Sequence, residues 1–261
     1  MIISIWNYRK FIWDNAWRDL RHRYAGSAAG FLWNVMSPLC QILIFTLIFS
    51  RIMQVRIPGL PAGYGFTIYL CVGLIPWMSF SATVSRCANS FIENANYLKK
   101  MAIPEQIFVV QNALSSFLSL IISMTLLIGV CCIIGHYPTW SWLSLPIILI
   151  LFQIFGFGLG LFLGVLNAFF RDVTQITALS LQLWFWATPI VYQKDILPDS
   201  IENWLYLNPA YHYIYTLQDI GVEKAWPDLS TLFIMFFLSI FMLLLGYIIL
   251  FILRSDLRDT L

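Results

Sequence analysis

Acid–base chemistry needs carboxylates or imidazoles that converge on one point. The acids that could pair are Asp195, Asp199, Glu202, Asp219, Glu223 and Asp228, all in one polar segment late in the chain. Their spacing carries no pattern, and they read as solvated loop charges. His22, His136 and His212 are scattered over different regions without ligand spacing, and each reads as an interfacial or loop residue. Cys40, Cys71, Cys87, Cys131 and Cys132 mostly fall inside apolar stretches, without metal spacing or a disulfide framework, and read as small core residues. No G-x-x-x-x-G-K-[ST] phosphate loop occurs, so ATP is not bound by that route. If the chain belongs to a pump, the motor is another polypeptide.

The elements that would position any site lie in a bilayer. Of 261 residues, 60% are hydrophobic and 11% charged, far from the usual globular mix. The formal charge of +2 is too small to suggest nucleic acid. A hydrocarbon core of about 30 Å needs roughly 20 apolar residues per helix. Six spans meet that need, near 34–53, 66–86, 106–134, 142–169, 173–191 and 229–253, so the expected fold is an all-α integral membrane protein. With six spans both termini share a side. That side collects Arg9, Lys10, Arg18, Arg21, Arg23, Lys99, Lys100, Arg171, Arg254 and Arg258, against Arg51, Arg56, Lys194 and Lys224 opposite, with Arg86 near a span end. The positive-inside rule places the termini in the cytoplasm. Charged residues precede any long apolar run, so no cleaved signal peptide is expected and the mature chain is read as starting at Met1. No carboxylate, lysine or histidine is expected at mid-depth, which disfavours ion-coupled transport.

Residues 91–105, FIENANYLKKMAIPE, form a polar island between long uncharged stretches. Ser90 and Glu93 have capping-box spacing, Lys99 and Lys100 suit a last turn, and Pro104 disfavours helix before it. The spacing predicts a short surface helix over 91–102, either a connector between spans or a docking surface for a soluble partner. Over 1–30, Trp6, Trp13, Trp17, Leu20 and Tyr24 recur at helical spacing, which predicts an amphipathic helix in the headgroup region. Gly73-Leu74-Ile75-Pro76-Trp77 should bend or unwind the second span, to line a cavity or to be satisfied by neighbours. Gly156, Gly160 and Gly164 make a small-residue stripe for close helix approach, within one subunit or at a dimer seam.

Residues 192–228 form an external segment. Asn208 as cap, Pro209 at the first position and Gly221 as stop frame a short helix. Its sequence AYHYIYTLQDI is too apolar for an ordinary loop, and it reads as a re-entrant helix in the outer leaflet.

Taken in order, several stretches resemble the membrane subunits of ABC exporters for cell-surface polysaccharide, the permeases for O-antigen, capsule and teichoic acid. They are Trp17-Arg18-Asp19-Leu20-Arg21-His22-Arg23-Tyr24 with Gly30 and Trp33, Gly73-Leu74-Ile75-Pro76-Trp77, and Asn94-Ala95-Asn96-Tyr97-Leu98-Lys99-Lys100. Asn167, Arg171-Asp172-Val173, Thr188-Pro189-Ile190-Val191-Tyr192 and Asn208-Pro209 complete the set. Among these the match is most like O-antigen export permeases, and it spans nearly the whole chain. The resemblance implies a multi-pass bacterial inner-membrane homodimer, two cytosolic ABC ATPase subunits, a lipid-linked polysaccharide substrate and contacts with membrane lipids. It implies no catalytic residue, metal or cofactor on this chain, with ATP and Mg on the partner.

By this likeness the island becomes the ATPase-coupling helix, with Glu93, Asn96, Tyr97, Lys99 and Lys100 as contacts, and the N-terminal helix adds Arg18 and Arg21. The 192–228 segment becomes an external gate carrying Asn208, Pro209, Tyr211 and Tyr215. Many members carry an arginine about where Gln218 stands here, a departure from the family's pattern. Aromatic faces stack on sugar rings, so Trp77, Phe80, Trp184, Trp186 and Tyr192 are candidates for a conduit, although Trp and Tyr also concentrate at membrane interfaces. An ion-coupled lipid-glycan flippase and a membrane-bound glycan-modifying enzyme are the alternatives.

Overall fold

The computed structural model of the chain describes residues 6–23, 30–48, 64–100, 103–194, 198, 204–222 and 225–260. The expected end of the first span over 49–53, residues 101–102 of the island, and most of 195–203 lie outside them. The described residues form helices and the loops between them, with no strand. The helices are α1 (Arg9–His22), α2 (Trp33–Phe45), α3 (Gly65–Glu93), α4 (Ala95–Lys100), α5 (Gln106–Ile134) and α6 (Leu145–Phe169). They continue with α7 (Val173–Trp186), α8 (Pro209–Val222), α9 (Leu229–Ile252) and α10 (Arg254–Thr260).

Four helical stretches are long and apolar enough to cross a membrane: Gly65–Glu93, Gln106–Ile134, Trp140–Phe169 and Leu229–Ile252. The described part of the first expected span and the fifth span are shorter. The apolar helix Trp33–Ile48 falls below that length. α7, expected to reach 191, stops at Trp186 after 14 residues, about 21 Å of rise. Pro189 lies just beyond, and the Thr188 hydroxyl turns back onto the Trp184 carbonyl.

α6 is the axis. It is embraced by α3 on one side and α9 on the other, and its glycines explain how. A Cβ on Gly156 would meet the Phe80 ring at 2.9 Å, and one on Gly160 would meet Cys87 Cβ at 2.5 Å. One on Gly164 would meet the Cys87 carbonyl at 2.8 Å. The predicted stripe is therefore used inside the subunit, against α3. A second contact, unread in the sequence, joins Gly158 of α6 to Gly246 of α9, where an added Cβ would meet the Gly158 carbonyl at 2.6 Å. Lipid supplies no hydrophobic force between helices, so such close backbone packing and interhelical hydrogen bonds carry association. Thr83 donates to Gln153 Oε1 at 2.7 Å, and Gln153 Nε2 donates to the Ser79 hydroxyl at 2.9 Å.

Gly73 to Trp77 do not unwind α3, which continues as helix through Pro76. These residues are buried, and Gly73 is filled by α8 instead, since a Cβ there would meet Gln218 Nε2 at 2.7 Å. α5 ends in a left-handed Gly135, φ 89°. There the amide of His136 bonds the Cys131 carbonyl and that of Gly135 the Cys132 carbonyl, a paired closure of the last turn.

Candidate coupling surface and aromatic face

The polar island divides. Ser90 to Glu93 complete α3, so the capping box does not form; Ser90 is wholly buried. Asn94 is the joint: its amide nitrogen donates to the Ser90 carbonyl, and its own carbonyl accepts from the amides of Tyr97 and Leu98. The surface helix is α4 alone. It presents Asn96, Tyr97, Lys99 and Lys100 outward and buries only Leu98. Glu93 is exposed at the end of α3. These residues form one open surface with a single apolar anchor.

What holds the anchor is a core of its own, separate from the main one. Leu98 packs in a cluster with Ile12 of α1, Phe91 of α3, Phe108 of α5, Leu250 of α9 and Leu257 of α10. Burying one leucine contributes about 1.5–3 kcal/mol. The cluster thus ties the surface helix to both ends of the chain. Glu105, wholly buried just after Pro104, pairs with Arg254 Nε at 2.9 Å, which links the island's end to the start of α10.

α1 lies along α5, and its packed stripe is Ile12, Ala16 and Leu20. Trp6, Trp13 and Trp17 stay exposed on the neighbouring face. The amphipathic pattern is therefore double: an aliphatic line to protein and a tryptophan line away from it. Arg18 and Arg21 are exposed, with Arg18 donating to Asn15 Oδ1 at 3.0 Å.

The connection of α1 to the bundle is polar. Asp19 receives Arg86 Nη2 at 2.6 Å and the Ser115 hydroxyl, with Arg23 Nη2 at 3.7 Å. Burial raises the Asp19 pKa, but the Ser115 hydrogen bond and Arg86, helped by Arg23, outweigh it and hold the carboxyl below its ordinary 3.8. Arg86 also donates to Asn112 Oδ1, whose amide returns a bond to the Arg86 carbonyl. A lone arginine near a span end asks for a carboxylate; that signal was readable, but the partner, 67 residues away, was not.

The aromatic candidates are not in one row. Trp77, Phe80 and Trp184 join a packed cluster: Phe80 stacks on Phe152 at 4.4 Å and on Phe155 at 5.7 Å. Trp184 meets Trp77 and Phe80 edge-on. Phe80 is 0% exposed and offers no open face to a sugar. Trp77 and Trp186 instead border a cleft of about 580 Å³ between α2, α3 and α7. Trp184 and Tyr192 border another of about 450 Å³ beside Trp204 and Asn208. The Tyr192 hydroxyl donates to the Trp186 carbonyl at 3.0 Å.

α8 carries the gate candidates. Asn208 caps it as expected, its Oδ1 accepting from the amide of Ala210 at 3.1 Å. The same oxygen accepts from Trp184 Nε1, while its amide donates to the Thr188 hydroxyl. Asn208 thus fastens α8 to the end of α7. Pro209 comes next in the first position, Tyr211 is buried, and Tyr215 stacks on Tyr211 under the Lys194 ammonium. The helix ends at Val222, one residue beyond the expected stop at Gly221, and the glycine admits Val72, at 2.9 Å from an added Cβ. His136 lies in the loop after α5, as expected, but is buried there and hydrogen-bonded to the Gly221 carbonyl at 2.8 Å. Tyr213 donates to α9 and Ser239 to the Leu151 carbonyl of α6. Gln218 donates weakly to the carbonyls of Ile190 and Tyr69.

Among the described residues no group of His, Cys, Asp or Glu could hold a metal ion. A family profile described as ABC-2 type transporter matches residues 11–222. An O-antigen export system permease protein (RfbA) of Klebsiella pneumoniae is 32% identical over 204 residues, 78% of this chain and 76% of that protein. Its namesake in Myxococcus xanthus is 28% identical over 245 residues, 93% and 92% of the two chains. A polysialic acid transport protein (KpsM) of Escherichia coli is 23% identical over 211 residues, 80% and 79%.

Proposed function

The chain belongs to the ABC-2 type transporter family, and we propose that it is the membrane subunit of an ATP-driven exporter of lipid-linked, O-antigen-like polysaccharide. It is a permease subunit, not an enzyme. In this reading two copies form the conduit, and two separate ATPase subunits bind ATP and Mg. The chain crosses the bacterial inner membrane six times with both termini cytoplasmic. The contacts support that traverse. Asn112 bonds Arg86 while Ser116 meets Ser79, so α5 runs against α3, whereas the glycine contacts set α6 and α9 along it. Thr174 bonds Asn89 and Trp184 meets Trp77, so α7 runs against α3 as well.

The observation that carries the coupling assignment is the shared core under α4. Leu98, Ile12 and Leu257 pack together, so a push on the exposed residues of α4 moves α1 and the C-terminal segment with it. In the conduit, the open aromatic positions are Trp186 and Tyr192, with Trp77 and Trp184 at cleft edges; Phe80 supports them from behind.

The test is gentle-detergent purification of the tagged chain from its native membrane, with mass spectrometry of what stays bound. A stoichiometric cytosolic ABC ATPase is expected. Its absence, with the chain still folded, overturns the pump assignment in favour of a flippase or a glycan-modifying enzyme.

A further inference from the structure

A cavity of about 170 Å³ opens between α2, α3 and α5, beside the larger aromatic cleft, with which it shares Gln41 and Met78. A single water needs roughly 10–15 Å³, so this space suits a larger polar group. Arg23 is the only charged side chain among the described residues that line it. Beyond Arg23 the wall presents the serines Ser116, Ser119 and Ser123 from α5, set among Ile75 and Leu120. Ser116 is 2% exposed, and its hydroxyl has no hydrogen-bond partner among the described residues. A buried hydroxyl without a partner is costly, and a bound acceptor would relieve it.

Chemistry and setting define the occupant. α3 and α5 are membrane-length helices, so a ligand held in this cleft lies among membrane spans. A guanidinium beside hydroxyl donors matches phosphate oxygens, and basic pockets between spans hold lipid headgroups. Arg23 is already oriented: Nη1 donates to the Ser119 hydroxyl at 3.0 Å and Nη2 lies 3.4 Å from that of Ser115. The apolar walls match the carbon skeleton below a headgroup.

We propose that this cavity binds the phosphate-bearing headgroup of a membrane lipid, with Arg23 on the phosphate and the Ser116 and Ser119 hydroxyls on its oxygens. The proposal rests on the membrane assignment and not on polysaccharide export, so its failure leaves the export reading intact. The phosphate comes either from a resident phospholipid or from the diphosphate of a lipid-linked glycan.

The experiment uses the full chain in nanodiscs of phosphatidylglycerol and phosphatidylcholine with matched acyl chains, read by native mass spectrometry. Wild type should retain phosphatidylglycerol preferentially, one per chain. Arg23→Gln and Ser123→Phe should each reduce retention about tenfold; the second fills the cavity and leaves the Arg23 side chain in place. Arg18→Gln, on the exposed face of α1, should retain lipid as wild type does. Unchanged retention in Ser123→Phe, or an equal loss in Arg18→Gln, overturns the proposal. Displacement of phosphatidylglycerol by an equimolar polyprenyl diphosphate supports the site and assigns it to the carrier. Resistance to displacement supports it as a phospholipid site.

Discussion

Asp19 sits where α1 meets the bundle, and its carboxylate collects Arg86, Ser115 and Arg23. Removing the charge by Asp19→Asn leaves Arg86 short of its counter-ion. With both groups about a third exposed, solvent softens the loss to roughly 1–3 kcal/mol. Thermal unfolding in detergent should show that loss, with faster hydrogen exchange confined to α1. The folded-state pKa is depressed, so the contribution is complete above the ordinary 3.8 and is lost as pH falls through the lower folded value. Wild type and Asp19→Asn should therefore differ at pH 5–7 and converge only in strong acid. The absence of a gap at pH 6 contradicts the assignment. The carboxyl of Glu105 poses the converse case, since it is fully buried and pairs with the half-exposed Arg254. Arg254→Gln removes that counter-charge and should cost more stability than the double variant Glu105→Gln/Arg254→Gln. A double variant less stable than Arg254→Gln would mean the pair itself is not the source of the effect.

At the scale of elements, the glycines of α6 set the distance between three helices. Gly160→Ala places a methyl where Cys87 Cβ and the Val84 carbonyl already stand, and overpacking of that kind costs about 1–3 kcal/mol. Gly129→Ala in α5 meets nothing within 4 Å and should be neutral or stabilising by up to about 1 kcal/mol. Melting temperatures of the two variants in one detergent decide the matter; equal shifts would remove close packing as the cause. For α4 the two faces should separate in their effects. Lys99→Glu/Lys100→Glu changes only exposed charge, so ATPase recovery in pull-downs should fall while the melting temperature holds. Leu98→Ala should instead lower the melting temperature, by about 2–4 kcal/mol of stability, because it empties the shared core.

Across the whole molecule, the exposed apolar surface is uneven. α9 keeps Phe233, Phe237, Phe241, Leu244 and Phe251 open, and α7 keeps Ile176, Leu179 and Leu183 open. The α9 surface fits a lipid-facing span packed mainly on α6. The short α7 with α2 borders the larger aromatic cleft. The interior between these faces is bonded through: Ser239 joins α9 to α6, Tyr213 joins α8 to α9, and Asn208 joins α8 to α7. A movement of α4 therefore has a packed route to α8.

The residues alone determined the features that obey local rules. Long uncharged stretches dictate spans because the bilayer has no water for backbone groups. Asn208-Pro209 opens a helix, and a four-residue glycine repeat marks a close-packed face. Those readings survive in α3, α5, α6, α8 and α9. The tertiary structure decided whatever depends on a distant partner. Ser90 and Glu93 have capping spacing, but packing carries α3 through them; Pro76 could have broken that helix, but the helix continues through it among buried neighbours. Phe80 has the chemistry to stack on a sugar and is instead walled in by Phe152 and Phe155. Asp19 with Arg86, and Glu105 with Arg254, are ordinary charges until the fold closes 67 or more residues between partners. Sequence spacing encodes the face of a helix, whereas the occupant of the facing groove is set by how the helices cross.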